Sequence, residues 1–359
     1  MSLIFANKFI VSMGNTKWIH PKTVTGSPAE GQTYLRRNYV NEEFWREINK
    51  GNHILFTAPR RVGKTSVMKD LVAIPGSGFL CIYENVESDN TPEQFYKRLY
   101  HLIIDRIGKV QKSRKLFEKW IKTIGIEEIS AEGTIKFKEK TISHKDELLL
   151  LISKLPQMNQ RVVLFLDEFP EVISAIRKKD GDDAAIEVLH TIREIRHNKA
   201  FDHIIFVLAG SIGLEHVVES LDRPKLINDL HPVKIEPLTK SEARQLIAQL
   251  IHGASMKITD EILNSMFDKL ELLVPYFIQL MIEYSDEILF KENRPLLVNS
   301  DLDTAFLRIV KDNRYLSDWE SRLKPPYPRN NITSVFHCLP AFLIEILLWF
   351  RKYSTSRRK

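Results

Sequence analysis

Four short runs, His53–Thr57 (HILFT), Phe79–Tyr83 (FLCIY), Val162–Leu166 (VVLFL) and His203–Leu208 (HIIFVL), are apolar almost throughout and rich in β-branched and aromatic residues. A strand with one wet face alternates polar and apolar residues. A strand without that alternation must be covered on both faces, which is the situation of a parallel sheet between helices. Val233–Ile235 with its flanks is a fifth candidate. Helical patterns fall between the runs, at Thr65–Val72, Asp183–His197 and Gly213–Leu221. Strand–helix alternation of this kind predicts an α/β fold.

The pattern changes after Pro237-Leu238. Thr239 and Glu242 are spaced as a capping box, in which each side chain satisfies an open amide of the first helical turn. Only helices are expected beyond it, at Glu242–Ile251, Asp260–Leu270, Pro275–Leu289 and Leu302–Lys311. Pro275 suits a first turn, where its missing N–H is not needed. A chain of 359 residues is too long for one core. The expected organisation is an N-terminal arm (1–30), an α/β core (31–238) with an insertion at 92–160, a helical domain (239–315) and an atypical tail (316–359).

The insertion holds a basic segment with Arg106, Lys109, Lys112, Arg114, Lys115, Lys119 and Lys122, then an alternating run over 134–140 that reads as an exposed strand. A solvated surface explains both, and nucleic acid is a weakly supported partner. The net charge of +6 is concentrated at the end of the chain. From Pro326 onward the charge is +5, which leaves +1 for residues 1–325. The basic balance is therefore no argument that the body binds nucleic acid. The longest apolar stretch, Val335 to Phe350, contains His337, Pro340 and Glu345 and is short for a bilayer span, so a membrane partner is not expected. Two cysteines, Cys81 and Cys338, cannot form a disulfide framework, and a reducing cytoplasmic setting follows as the expectation.

The chemistry of the chain is carried by Ala58-Pro59-Arg60-Arg61-Val62-Gly63-Lys64-Thr65-Ser66, between a strand and a helix. This is the Walker A spacing with Ala58 in place of the first glycine. Its backbone amides can curl around phosphate oxygens, and the helix start adds a positive dipole end. Gly63 permits close approach, Lys64 can reach the β- and γ-phosphates, and the Thr65 hydroxyl can meet Mg²⁺. A methyl group at Ala58 is tolerable while its φ stays negative.

Val162–Leu166 runs into Asp167 and Glu168. Carboxylates at the end of a buried strand need partners or a task. Beside a phosphate loop, Asp167 suits the metal and Glu168 suits a general base that activates water. Capping of the following helix is the plain alternative. Ser211 ends the fourth strand, placed either for the γ-phosphate and the attacking water or as a cap of the helix starting near Ile212.

Ala58–Ser66, Leu164–Pro170 (LFLDEFP), Phe206–Gly213 (FVLAGSIG), Ile235–Leu238 (IEPL) and Leu273–Leu280 (LVPYFIQL) occur in this order. The set resembles the AAA+/STAND-related P-loop ATPases of prokaryotes, the archaeal-type ATPases, over residues 24–312. The resemblance implies a P-loop NTPase core whose parallel sheet is of the additional-strand type, followed by a small helical lid. It implies ATP and Mg²⁺ as ligands, Ser211 in the sensor-one position and Pro275 near the nucleotide, although Leu273 departs from the glycine of that pattern. Arg193, Arg196 and Arg223 are candidates for an arginine that completes a neighbour's site, and Arg36-Arg37 resembles the lead-in to the nucleotide. A homo-oligomer or protein partner is implied. Such proteins commonly end in a winged helix. Here the composition shifts abruptly after Leu323, as expected of a truncated or frame-altered end.

The residues thus point to an Mg-ATP-dependent ATPase with Lys64, Glu168 and Ser211 in catalysis and Thr65 and Asp167 at the metal. Hydrolysis would drive a conformational or partner-assembly change. The alternative is an ATP-switched DNA-binding regulator with little turnover.

Overall fold

The computed structural model describes residues 17–110, 126–129, 135–137, 143–155, 160–211 and 213–311. The basic residues Lys112–Lys122, the residues beyond 311 with the Val335–Phe350 run, and the first sixteen residues of the expected arm lie outside them. The described residues form two compact units. One lies between Ser27 and Pro237. The other joins residues up to Gly26 to those from Leu238 onward.

The first unit is α/β. Its elements run α1 (Asn38–Lys50), β1 (Ile54–Thr57), α2 (Lys64–Ala73), β2 (Phe79–Asn85), α3 (Pro92–Val110), β3 (Ile126–Ile129), β4 (Ile135–Phe137) and α4 (His144–Lys154). There follow β5 (Arg161–Asp167), α5 (Phe169–Asp180), α6 (Asp182–His197), β6 (Ile204–Gly210), α7 (Leu214–Ser220) and β7 (His231–Val233). β3 and β4 make a separate antiparallel pair. The other strands form one sheet in the order β2-β5-β6-β1-β7. Every pairing in it is parallel. β6 therefore stands between the strand that enters the phosphate loop and the strand that ends in the acids, which is the additional-strand order.

Burial explains why those runs lack alternation. All seven residues of β6 are buried, and in β5 only Arg161 is not. Leu164, Leu166, Phe206 and Leu208 enter a cluster with Phe95, Phe169 and Ile192 from the helices. Phe165 and Phe56 meet Phe44 of α1, the Phe44–Phe56 ring centroids lying 4.9 Å apart at 87°. Each large apolar side chain so buried contributes about 1.5–3 kcal/mol. β7 starts two residues before the run expected at Val233–Ile235 and includes Pro232. It is an edge strand, and an edge tolerates a residue with no N–H to donate.

The second unit carries α8 (Lys240–Ile251), α9 (Asp260–Leu270), α10 (Pro275–Glu292) and α11 (Asn299–Lys311). Thr239 and Glu242 close the expected capping box, and Pro275 opens α10. Residues 18–25 run along one face of α10. Trp18 and His20 bond Asp286, Thr25 donates to Glu283 and the Val24 N–H donates to Gln279. Among the described residues no helix is long and apolar enough to cross a membrane.

Candidate nucleotide site at the carboxyl edge of the sheet

Because the strands are parallel, β1, β5 and β6 end at the same edge. Thr57 pairs with Gly210, so Ala58 and Ser211 leave the sheet side by side, and Leu166 pairs with Leu208, so Asp167 ends β5 level with Ala209 at the same edge. The Ala58 N–H donates to Gly210 O at 3.4 Å, and its φ is not positive, so the methyl group costs the loop nothing. The loop turns through Arg61 (φ 69°) and Gly63 (φ 103°), and α2 starts at Lys64. Pro59, Val62 and Ser66 are buried.

Lys64 is 5% exposed and donates to Ala58 O (2.6 Å) and Pro59 O (3.1 Å). Burial lowers its ammonium to about 8, against the pull of the Glu168 and Asp167 carboxylates, and Arg60 adds to the lowering. Thr65 Oγ1 donates to Asp167 Oδ2 at 2.6 Å. Tyr83, near the end of β2, donates to the same oxygen at 3.1 Å, and the Glu168 N–H donates to Oδ1. Asp167 is 2% exposed, so these donors stand in for water.

Glu168 adopts a left-handed backbone (φ 58°, ψ 34°) at the N-cap of α5, with no capping bond from its side chain. Its Oε2 accepts from the N–H (3.3 Å) and hydroxyl (3.1 Å) of Ser211. Its Oε1 lies 4.0 Å from Arg60 Nη2, which also approaches Glu87. Neither acid caps α5 with its side chain. Ser211 does not cap α7, whose N-cap is Gly213.

The residues expected from Ala58 to Ser66, with Asp167, Glu168 and Ser211, are thus gathered in one place. Tyr83 was not expected there. Its signal is faint: a polar-tipped aromatic near the end of an apolar strand. Of the three candidate arginines, Arg196 is held inside its own unit by Asp229 (2.6 and 2.9 Å) and Leu226 O. Arg193 lies 4.0 Å from Asp229, and Arg223 donates to Asp222 O. Leu273 and Pro275 belong to the helical unit, where Leu273 O accepts from the Leu238 N–H. The donor set fits a nucleotide with magnesium. It offers hard oxygens on Thr65 and Asp167, an ammonium, and the amides of a loop that opens a helix.

Comparison with solved structures bears on the fold. A Walker-type ATPase of Pyrococcus abyssi superposes with a TM-score of 0.54 at 15% identity, covering 84% of this chain and 77% of that one. The chain has the fold of a Walker-type P-loop ATPase. Other matching structures include Cdc6p of Pyrobaculum aerophilum (TM-score 0.47, 13% identity, 93% and 98% covered) and ORC2 of Aeropyrum pernix in complexes with ADPNP and ADP (0.47, 12%, 82% and 70%). No protein-family model matches the sequence, and no curated protein matches it.

Proposed function

We propose that this P-loop protein binds Mg-ATP on Ala58–Ser66 and hydrolyses it, and that turnover drives a conformational or partner-assembly change. The observation that carries the reading is the pair of bonds beside the loop, Thr65 to Asp167 and Ser211 to Glu168. One joins the two oxygen donors a metal would need. The other joins a carboxylate to a hydroxyl at the adjacent strand end.

The Lys64 ammonium exchanges its bonds to the Ala58 and Pro59 carbonyls for phosphate oxygens, with no change of its charge. The loop amides and the start of α2 orient the chain of phosphates. Magnesium, when bound by Thr65 and Asp167, neutralises phosphate charge. Tyr83 and the Glu168 N–H keep both Asp167 oxygens aimed. Glu168 takes the proton of the attacking water, while Ser211 and Arg60 fix its carboxylate. The site acts by positioning and charge, which is what phosphoryl transfer requires.

The test is Mg²⁺-dependent ATP binding and phosphate release by the purified chain. Binding that requires the loop, with release that requires Glu168, supports the reading. A folded chain with no affinity for Mg-ATP refutes it.

A further inference from the structure

We infer that Arg37 is a positioning residue that clasps the phosphate loop to the segment by which the chain leaves the α/β unit. Arg37 stands at the N-cap of α1 and is 3% exposed. Among the described residues no carboxylate pairs with it. Its guanidinium instead donates to two backbone carbonyls remote in sequence, Val62 O in the loop (Nη2, 2.9 Å) and Glu236 O (Nη1). A buried cation without a counter-charge is costly unless its donors are satisfied, so both bonds are strongly held in place.

The first bond sets a direction. A planar trans peptide points its C=O and N–H opposite ways, so a Val62 carbonyl held by Arg37 turns the Gly63 N–H away from it. Gly63 is the residue at φ 103°, and a Cβ there would sit 3.8 Å from Arg37 Nη2. Arg37 thus orients one of the amides through which the loop would hold phosphate. The second bond reaches the exit. Glu236 is followed by Pro237, where the α/β unit ends and the chain passes to the helical one. The other passage, at Gly26-Ser27, leads into residues tied to α2. Glu30 pairs with Lys69, and Arg36 pairs with Asp70 at 3.1 Å. Both passages are therefore anchored to the loop or to the helix it opens. A change in the loop's state has a short, bonded route to each.

The experiment is amide exchange on the full chain, wild type beside Arg37→Lys and Arg37→Met, followed over residues 61–66 and 234–240 with and without saturating Mg-ATP. Lysine keeps the charge but has one nitrogen at its tip, where Arg37 uses two, Nη1 and Nη2, to reach carbonyls from separate segments. Without nucleotide, Arg37→Lys is expected to speed exchange in both segments about tenfold, the scale of one charge-assisted bond, with the sheet strands unchanged. With Mg-ATP, wild type is expected to slow exchange over 234–240, and Arg37→Lys is expected to bind nucleotide without that slowing.

Faster exchange in only one segment overturns the clasp, and so does slowing over 234–240 in Arg37→Lys equal to wild type. Should Arg37→Met unfold, Arg37→Lys decides. The inference rests on the nucleotide reading only for the Mg-ATP arm. A wild-type chain that binds no Mg-ATP refutes that reading, and the nucleotide-free comparison then judges the clasp alone.

Discussion

At the scale of single residues the site is a set of charges held under tension by burial. Lys64 is the clearest case. Its ammonium, lowered from 10.5 to about 8, is lost from the folded protein as pH rises through 8, whereas in an unfolded chain it persists to 10.5. Binding of phosphate requires the charged form. Mg-ATP affinity should therefore be flat below pH 8 and fall about tenfold per unit above it, until the higher value set by the bound nucleotide is reached. Calorimetric titration between pH 7 and 10 measures this, and Lys64→Ala should bind weakly at every pH and lose the dependence. An unaltered profile in Lys64→Ala would move the phosphate contact to another residue. Glu168 offers a second test. Glu168→Gln keeps an oxygen that can accept from Ser211, so the side chain stays in place, but an amide cannot take a proton from water. Mg-ATP should bind near normally and turn over at least ~100-fold more slowly in single-turnover assays. Full turnover in this variant assigns the proton to a different acceptor.

At the scale of elements, the phosphate loop depends on backbone that few residues adopt. Gly63 at φ 103° caps α2, and an L side chain there is strained by about 1–2 kcal/mol. Gly63→Ala should lower the denaturant midpoint accordingly and weaken Mg-ATP binding in the same variant. Stability and affinity both unchanged would mean that the loop relaxes to another path. The strands were legible because burial on both faces removes alternation, and the capping box Thr239–Glu242 and Pro275 mark helix starts by local bonds alone. What local pattern did not reveal depends on register or distance. Tyr83 reaches Asp167 because β2 pairs with β5, where Glu84 stands opposite Leu166 and Asn85 opposite Asp167. Arg37 bonds Glu236 across most of the α/β unit. α1 shows Val40, Phe44 and Ile48 at helical spacing, yet its place is set by Phe56 and Phe165. Ser211 was ambiguous because a serine just before a helix is an ordinary cap. The helix begins past it, at Leu214 with Gly213 as its N-cap, and the Ser211 hydroxyl donates to Glu168.

At the scale of the whole molecule, charge and ligand linkage are what distinguish the readings. Residues 1–325 carry only +1 of the net +6, so long-range attraction to polyanions is not a property of the α/β unit's composition. A nucleotide that binds only the folded chain must stabilise it by mass action, by about 2.7 kcal/mol at a hundredfold excess over the dissociation constant. For a unit of the α/β unit's size this is a rise in melting temperature of roughly 5–10 °C. Scanning calorimetry with Mg-ATP should therefore move the transition of the wild-type chain upward. Glu168→Gln should move equally, because it keeps the binding contacts, and Lys64→Ala should not move. The three traces separate binding from hydrolysis without any assay of turnover. A shift in Lys64→Ala as large as in wild type would place the stabilising nucleotide away from Ala58–Ser66, and the phosphate-loop reading would fail even if the chain hydrolyses ATP.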